Sequence, residues 1–220
     1  MLSLNLPQIG TAPLKILCLG SHSDDIEIGC GGTILRLLSD RFNLEVVWVV
    51  FGATEERERE ARKSVELFLE KAARKEVMVN DFRDGYFPAD AAKIKDIFEG
   101  LKRVSPDLIF THHRKDAHQD HRLIAELTWN TFRNHLILEY EIPKYDGDLG
   151  RPNLFVPLEP EIYQRKVRHL IDTFETQRVK RWFDQETFLA LMRLRGMECN
   201  ASSGYAEAFY ASKLMLSAEG

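Results

Sequence analysis

Two short polar segments, far apart in the chain, contain the residue types that bind metals and transfer protons. Residues 22–25 read HSDD, and residues 118–121 read HQDH. An imidazole nitrogen and a carboxylate three positions apart can reach one divalent cation, and the carboxylate between them then stays free for proton transfer. The first segment therefore predicts His22 and Asp25 as metal ligands and Asp24 as a general base.

The second segment supplies a third ligand if the fold brings it beside the first. His121 would then complete a set of two histidines and one carboxylate, which leaves positions open for water and a substrate oxygen, as a hydrolytic zinc site requires. His118 would remain as a spare group beside this set. In a simpler interpretation, the acidic residues of both segments cap helices and the histidines lie on the surface. His112 and His113 are adjacent in an extended segment and point to opposite sides, so neither is predicted to be a ligand.

A glycine cluster behind the first segment raises an alternative from another class of protein. A strand followed by a glycine-rich turn and a helix can hold the phosphates of a nucleotide. However, Gly29, Gly31 and Gly32 lack the G-x-G-x-x-G spacing, and the two preceding aspartates would repel a pyrophosphate. We expect these glycines to let the chain turn sharply from the first strand into the next helix.

The elements that would position these segments alternate between strands and helices. Short apolar or β-branched runs predict strands at 15–19, 45–51, 76–79 and 108–110. Amphipathic spacing predicts helices at 33–40, 55–75, 89–104, 122–134, 162–174 and 185–194, and residues 143–160 are predicted to form an extended loop or an irregular strand pair. This alternation predicts an α/β fold, with a mostly parallel sheet, helices on both faces and ligands beyond the carboxyl ends of the strands.

The composition predicts one globular domain of ordinary size. The chain has 220 residues, of which 44% are hydrophobic and 29% charged, and its formal net charge is −4. This charge provides no positive field for nucleic acid, so we expect no nucleic-acid partner. No apolar run approaches the length of a membrane span. The three cysteines lack a paired or metal-binding spacing, which favours a reducing cytoplasm, and the oligomeric state, homo-oligomer included, stays open.

Five short motifs in this chain resemble, in the same order, those of a known family. They are His22-Ser23-Asp24-Asp25 with the glycines at 29, 31 and 32; Arg57 with Glu60 and Ala61; Asp84-Gly85; residues 118–121; and Tyr205-Ala206-Glu207-Ala208-Phe209. The family is the zinc-dependent de-N-acetylases of the LmbE-like and PIG-L type. Proline is usual in that family at the positions of Ser23 and Gln119, and the PIG-L branch has glutamate in place of Ile26. The resemblance therefore favours a bacterial sugar deacetylase over a lipid-processing enzyme, and no predicted ligand is lost.

The resemblance implies a Rossmann-like fold, a single LmbE-like or PIG-L deacetylase domain over residues 1–220, and hydrolysis of an acetamide. The zinc ligands that it implies are His22, Asp25 and His121, although another divalent transition metal would suit the same donors. Asp24 would accept the proton of the attacking water. His118 would stabilise the oxyanion, with Asp120 holding its imidazole in the required state, and either Asp24 or His118 would protonate the leaving amine.

The resemblance also implies a small N-acetylated amino sugar as substrate, of the N-acetylglucosamine type and either free, nucleotide-linked or glycosidic. The substrate contacts that it suggests are Arg57, Asp84 and Glu207, whereas Tyr205 is predicted to pack. Two other classes of protein stay open. One is a nucleotide-binding Rossmann-like enzyme such as a methyltransferase, and the other is a non-catalytic relative that binds metal without turnover.

Overall fold

The computed structural model describes residues 12–40 and 43–215, and its centre is one mixed β-sheet. The 7-stranded sheet has the order β3-β2-β1-β4-β5-β7-β6. The strands are β1 (Leu14–His22), β2 (Leu44–Gly52), β3 (Arg74–Val79), β4 (Leu108–His112), β5 (Leu136–Tyr140), β6 (Leu154–Pro157) and β7 (Ala206–Tyr210). Strands β1 to β5 pair in parallel, while β7 pairs antiparallel with both β5 and β6. The predicted α/β fold with a mostly parallel sheet is confirmed.

Six α-helices connect or flank the strands in the described part of the chain. They are α1 (Asp25–Ser39), α2 (Glu55–Phe68), α3 (Ala91–Leu101), α4 (Gln119–Thr131), α5 (Pro160–Thr173) and α6 (Gln185–Glu198). None of these helices combines the length and the apolar character needed to cross a bilayer. Cys18, Cys30 and Cys199 are buried and unpaired.

Two apolar clusters lie on the two faces of the sheet. On β1, Ile16 and Cys18 belong to the cluster that α1, α2, α5 and α6 cover. The alternate residues Leu17 and Leu19 belong to the second cluster, which α3 and α4 cover. Because successive strand residues point to opposite faces, a strand buried on both sides needs an uninterrupted apolar run. This requirement explains why the central strands β1, β2 and β4 were readable from the sequence.

The glycine cluster is helical, and the predicted sharp turn at these residues is wrong. Helix α1 begins at Asp25 and therefore contains Gly29, Gly31 and Gly32. A Cβ atom at Gly29 would collide with the ring of Tyr140, and one at Gly31 would collide with the ring of Phe68. These glycines therefore let α1 pack closely against its neighbours, a tertiary requirement that overrides their low helix propensity.

The carboxyl-terminal part of the sheet differs most from the prediction. Strand β7 lies within a small-residue stretch that had no predicted strand, and β6 is one short strand within residues 143–160, for which an extended loop or an irregular strand pair was predicted. Leu154 of β6 pairs with Phe209 of β7, and Tyr140 of β5 also pairs with Phe209. These strands are short, and pairing between distant segments leaves little local signal. In addition, the predicted helix 55–75 ends earlier, at Phe68, and β3 begins at Arg74.

Candidate active site

The two polar segments meet at the carboxyl edge of the sheet. The chain runs from β1 to β2 and β3 on one side and then crosses back to place β4 on the other side of β1. A crevice forms at such a reversal of strand order, and ligands of α/β proteins bind there. His22 is the last residue of β1 and His112 is the last residue of β4. The loop after β4 leads into α4, whose first turn carries Asp120 and His121.

The three predicted metal ligands converge in this crevice. The Nδ1 atom of His22 lies 3.4 Å from Oδ2 of Asp25 and 3.3 Å from Nε2 of His121. Nε2 of His121 lies 3.6 Å from the same Asp25 oxygen, and all three residues are buried. Two imidazole nitrogens and a carboxylate oxygen at these separations fit the ligand shell of a divalent metal ion such as zinc. The donor set therefore fits the ion that the motif spacing predicts.

The other ring nitrogen of His22 faces two further carboxylates. Nε2 lies 3.0 Å from Oδ1 of Asp84 and 3.4 Å from Oδ2 of Asp120. Burial lowers the pKa of His22, but hydrogen bonds to Asp120, Asp25 and Asp84 raise it well above its ordinary value. When Nε2 carries the proton toward these carboxylates, Nδ1 presents its lone pair to the three-ligand cluster.

Asp24 is a buried carboxyl group beside this cluster. It occupies the residue before α1, but its side chain makes no capping hydrogen bond, so capping does not explain it. Arg57 at the start of α2 donates from Nη2 to Oδ1 of Asp24 at 2.9 Å. Burial raises the pKa of Asp24, while the positive charges of Arg57 and Lys180 act in the opposite direction. A buried carboxyl group with a raised pKa at a crevice is typical of a catalytic base.

Asp116, which the motif spacing did not predict, orients the proposed ligand His121. Its Oδ2 atom lies 3.0 Å from Nδ1 of His121 and 3.1 Å from the ammonium of Lys144, and its Oδ1 accepts a 2.7 Å bond from the backbone N–H of His118. A carboxylate on the far nitrogen of a metal-binding histidine fixes the ring and its tautomer. In the sequence, the signal for Asp116 is its position two residues before the HQDH segment.

His112 supports the same histidine from the other side, and His113 lies outside the cluster. The ring of His112 stacks on that of His121 with a centroid separation of 3.9 Å, and its Nε2 accepts from the backbone N–H of Ser21 at 2.9 Å. Nδ1 of His113 lies 2.7 Å from Oε2 of Glu139. Nε2 of His112 also lies 3.2 Å from Oδ2 of Asp25. These contacts agree with packing or the support of a ligand for His112, and they tie His113 to Glu139.

Asp120 and His118 lie at the site, but their contacts differ from the expected arrangement. The Asp120 carboxylate accepts from the backbone N–H groups of Gly85 at 2.6 Å and Phe87 at 3.1 Å. It thus holds the loop after β3 and faces His22 instead of orienting the His118 imidazole. The contact with His118 runs through the backbone, because Nδ1 of His118 accepts from the N–H of Asp120 at 3.2 Å. Burial lowers the pKa of His118, and the charge of His22 lowers it further.

The structure brings two of the three predicted substrate contacts to the crevice. Arg57 reaches Asp24, and Asp84 reaches His22 with 62% of its side chain still exposed. The buried carboxylate of Glu207 instead accepts from the backbone of Gly32 and Thr33 in α1, each at 2.7 Å, and pairs with Lys166 of α5 at 2.6 Å. Because these partners lie outside the cluster and occupy both oxygens, we do not retain Glu207 as a substrate contact. Its carboxylate joins β7 to α1 and α5.

The mostly parallel sheet with a crevice at its carboxyl edge defines the general class, an α/β protein with its site at the strand ends. The comparisons with known proteins identify the family. Residues 17–132, more than half of the chain, match the family described as PIG-L, GlcNAc-PI de-N-acetylase. The chain belongs to this family. The match spans both polar segments and the loop containing Asp84, but not β7 with Glu207.

One curated protein resembles this chain in sequence, and one solved structure resembles it in fold. The chain is 27% identical over 144 residues to the uncharacterised deacetylase YaiS of Escherichia coli K12. The matched region covers 58% of this chain and 74% of YaiS. The N,N'-diacetylchitobiose deacetylase of Pyrococcus horikoshii is 22% identical, with a TM-score of 0.67 over 89% of this chain and 82% of that one.

The fold alone does not specify the reaction. The 4-carboxy-2-hydroxymuconate hydratase GalB of Pseudomonas putida has a TM-score of 0.75 at 16% identity, over 93% of this chain and 98% of that one. A hydratase and a deacetylase thus share this architecture. The side chains of the site, and not the fold, determine the reaction.

Proposed function

We propose that this protein is a zinc-dependent hydrolase that removes the acetyl group from a small N-acetylated amino sugar of the N-acetylglucosamine type. The observation that carries the proposal is the convergence of His22, Asp25 and His121 beside the buried carboxyl group of Asp24. The family assignment supports the same reaction class. A nucleotide-binding enzyme such as a methyltransferase is not favoured, because two buried aspartates occupy the place where phosphates would bind.

In the proposed site, His22, Asp25 and His121 hold the metal ion. When bound there, zinc supplies Lewis acidity, which polarises a carbonyl oxygen and makes water more acidic. Asp116 keeps the His121 ring oriented, and the backbone N–H of His22 donates to Asp25 at 2.6 Å, which fixes the carboxylate. Other divalent transition metals would suit these donors as well.

Asp24 is the proposed base. Arg57 occupies its Oδ1 atom, so Oδ2 is the oxygen that can accept a proton from the attacking water. The raised pKa of Asp24 helps it to retain this proton until the proton is transferred to the leaving nitrogen. The same carboxyl group can therefore serve both proton transfers of the amide hydrolysis.

His118 is the proposed oxyanion partner. Because its Nδ1 accepts from the Asp120 backbone N–H, a neutral His118 ring carries its proton on Nε2. The lowered pKa favours this neutral form. The Nε2 proton can then be donated to the oxygen on which negative charge develops. The backbone of Asp120, and not its carboxylate, would set this tautomer.

Asp84 and the remaining donors of Arg57 are the proposed contacts to the sugar. The exposed carboxylate of Asp84 can accept hydrogen bonds from hydroxyl groups, and Nε of Arg57 is buried without a partner among the described residues. A planar guanidinium and a carboxylate together suit a ligand that has both donors and acceptors.

The test measures the metal content of the purified protein together with acetate release from a panel of N-acetylated amino sugars. We expect bound zinc, loss of acetate release after chelation and its recovery with added zinc. His121→Ala should lose the metal, whereas His135→Ala, outside the cluster, should retain it. Turnover that survives complete metal removal would contradict the proposal. Metal binding without turnover of any acetamide would favour a non-catalytic relative, and cofactor binding that survives chelation would favour the nucleotide-binding alternative.

A further inference from the structure

Lys144 is a nearly buried lysine at the edge of the proposed metal centre. Its side chain is 9% exposed, and its ammonium contacts two carboxylates. It donates to both oxygens of Asp148, at 2.7 and 2.6 Å, and it lies 3.1 Å from Oδ2 of Asp116. Burial of an ammonium group is costly unless the charge is paired. Lys144 therefore bridges these two acids.

A tight turn after β5 brings Lys144 and Asp148 together. The two residues are four positions apart, and Gly147 between them has a φ of 62°. Glycine adopts this left-handed conformation without steric cost, so the chain can reverse there. Oδ2 of Asp148 also accepts a 2.6 Å bond from the backbone N–H of Ala117. The turn is therefore fixed to the loop after β4, which contains Asp116.

The Asp116 carboxylate accepts from the proposed metal centre as well as from Lys144. Its Oδ1 accepts from the backbone N–H of His118 at 2.7 Å, and its Oδ2 lies 3.0 Å from Nδ1 of His121. Asp116, His121 and His112 are also close enough together to hold a metal ion themselves. However, the ammonium of Lys144 already supplies positive charge beside Asp116 and would repel a cation there. Asp116 is thus available to orient the His121 ring.

Without Lys144, Asp116 and Asp148 would be two neighbouring carboxylates with no cation between them. Both contact the same Nζ atom, and their side chains are only 3% and 14% exposed. Like charges repel strongly in such a place, because little water screens them. Asp116 would relieve the repulsion by turning away, and its contact with Nδ1 of His121 would then be lost.

We propose that Lys144 is a positioning residue of the metal centre. By holding the carboxylates of Asp116 and Asp148 together, it keeps Asp116 on Nδ1 of His121, so that Nε2 of this ring faces the metal ion. This inference rests on the proposed function, because it concerns the same metal centre. Lys144 acts through Asp116, because the metal ion binds at the opposite nitrogen of the ring and Asp148 compensates the charge of the ammonium.

The first test measures zinc dissociation constants in a double-mutant cycle, by competition with a chromophoric chelator. Lys144→Met should weaken zinc binding about tenfold, the lower end of the effect of losing an orienting partner. In the Asp116→Ala background the same change should have no further effect, because the two residues act as one unit. Lys144→Arg should retain most of the affinity. The control Lys75→Met, whose ion pair with Glu66 joins β3 to α2, should bind zinc like the wild type.

Equal losses of affinity with and without Asp116 would show that Lys144 supports only the fold, and would overturn the inference. Wild-type affinity of Lys144→Met would do the same. Urea unfolding in the absence of zinc shows whether the compared proteins are folded. If Lys144→Met does not fold, Lys144→Gln takes its place, since an amide can still donate to a carboxylate. The loss should then be smaller but again confined to proteins that contain Asp116.

A second test removes the repulsion between the carboxylates. Asp148→Asn, added to Lys144→Met, removes one of the two negative charges and keeps an oxygen that can accept from the N–H of Ala117. We expect this double variant to regain part of the lost zinc affinity, whereas further damage to a merely structural contact would lower it again. A double variant that binds zinc no better than Lys144→Met would overturn the inference.

These affinities do not depend on turnover, so the two proposals fail in different ways. Coupling between Lys144 and Asp116 in a protein that binds zinc but releases no acetate would count against the proposed hydrolysis only. Zinc-dependent acetate release without this coupling would count against the role of Lys144 only.

Discussion

Arg57 donates a 2.9 Å hydrogen bond to Oδ1 of Asp24, and this contact joins the start of α2 to the residue before α1. The contact leaves Asp25, the next residue, free to face His22 and His121. Adjacent aspartates thus have separate surroundings, one beside a guanidinium and the other among imidazoles. The same separation gives them separate proposed roles.

Asp24→Asn should abolish most of the hydrolysis without loss of metal. General base catalysis contributes about 10²- to 10⁴-fold, so we expect kcat to fall within this range while the zinc content stays near that of the wild type. Asp25→Asn is the matched comparison and should lose metal as well as activity. Metal analysis and acetate release on the same preparations would decide this, and loss of zinc in Asp24→Asn would reverse the assigned roles.

Asp116→Ala should weaken metal binding although Asp116 is not a proposed ligand. Its carboxylate holds Nδ1 of His121, and removal of such an orienting partner typically costs about 10- to 100-fold in metal affinity. Competition for zinc against a chromophoric chelator measures this change. Asp96→Ala, on the exposed face of α3, serves as the control and should have wild-type affinity. Equal affinities of all three proteins would show that Asp116 does not orient the ligand.

Gly29→Ala should destabilise the fold, and Gly100→Ala should not. A Cβ at Gly29 meets the buried ring of Tyr140, whereas one at Gly100 in α3 has no atom within 4 Å. Overpacking of this kind costs about 1–3 kcal/mol in the free energy of unfolding. An exposed helical glycine replaced by alanine gains up to about 1 kcal/mol. Urea unfolding of both variants measures these changes, and a stabilised Gly29→Ala would show that α1 can move away from Tyr140.

Glu207→Gln should lower stability, because it leaves the buried ammonium of Lys166 without its counter-charge. Breaking a buried ion pair by removing one partner costs about 3–5 kcal/mol in the free energy of unfolding, and we expect the lower end because glutamine retains an acceptor. Glu99→Gln, whose pairs with Lys95 and Lys102 lie on the surface, should show little change. An unchanged unfolding curve with a raised KM would restore Glu207 as a substrate contact.

Much of the framework was readable from the sequence because its signals are local. The buried strands β1, β2 and β4 need uninterrupted apolar runs, and each run appears as such in the chain. The HSDD and HQDH segments follow β1 and β4, and the carboxyl ends of parallel strands share one edge of the sheet. The convergence of His22, Asp25 and His121 was therefore predictable from residue type and strand direction.

The tertiary structure decided what depends on contacts between distant segments. The side-chain partners of Asp116, Asp120 and Glu207 lie far away in the chain or are set by loop geometry, so a carboxylate in the sequence does not show whether it holds a ligand, a loop or a lysine. The glycines of α1 were misread because they are required for close packing against distant residues, Tyr140 on β5 for Gly29 and Phe68 on α2 for Gly31, and local propensity does not encode such contacts. Strand β7 was missed because its stability comes from pairing with β5 and β6. Local patterns thus determined the elements and the types of ligand, and packing determined their partners.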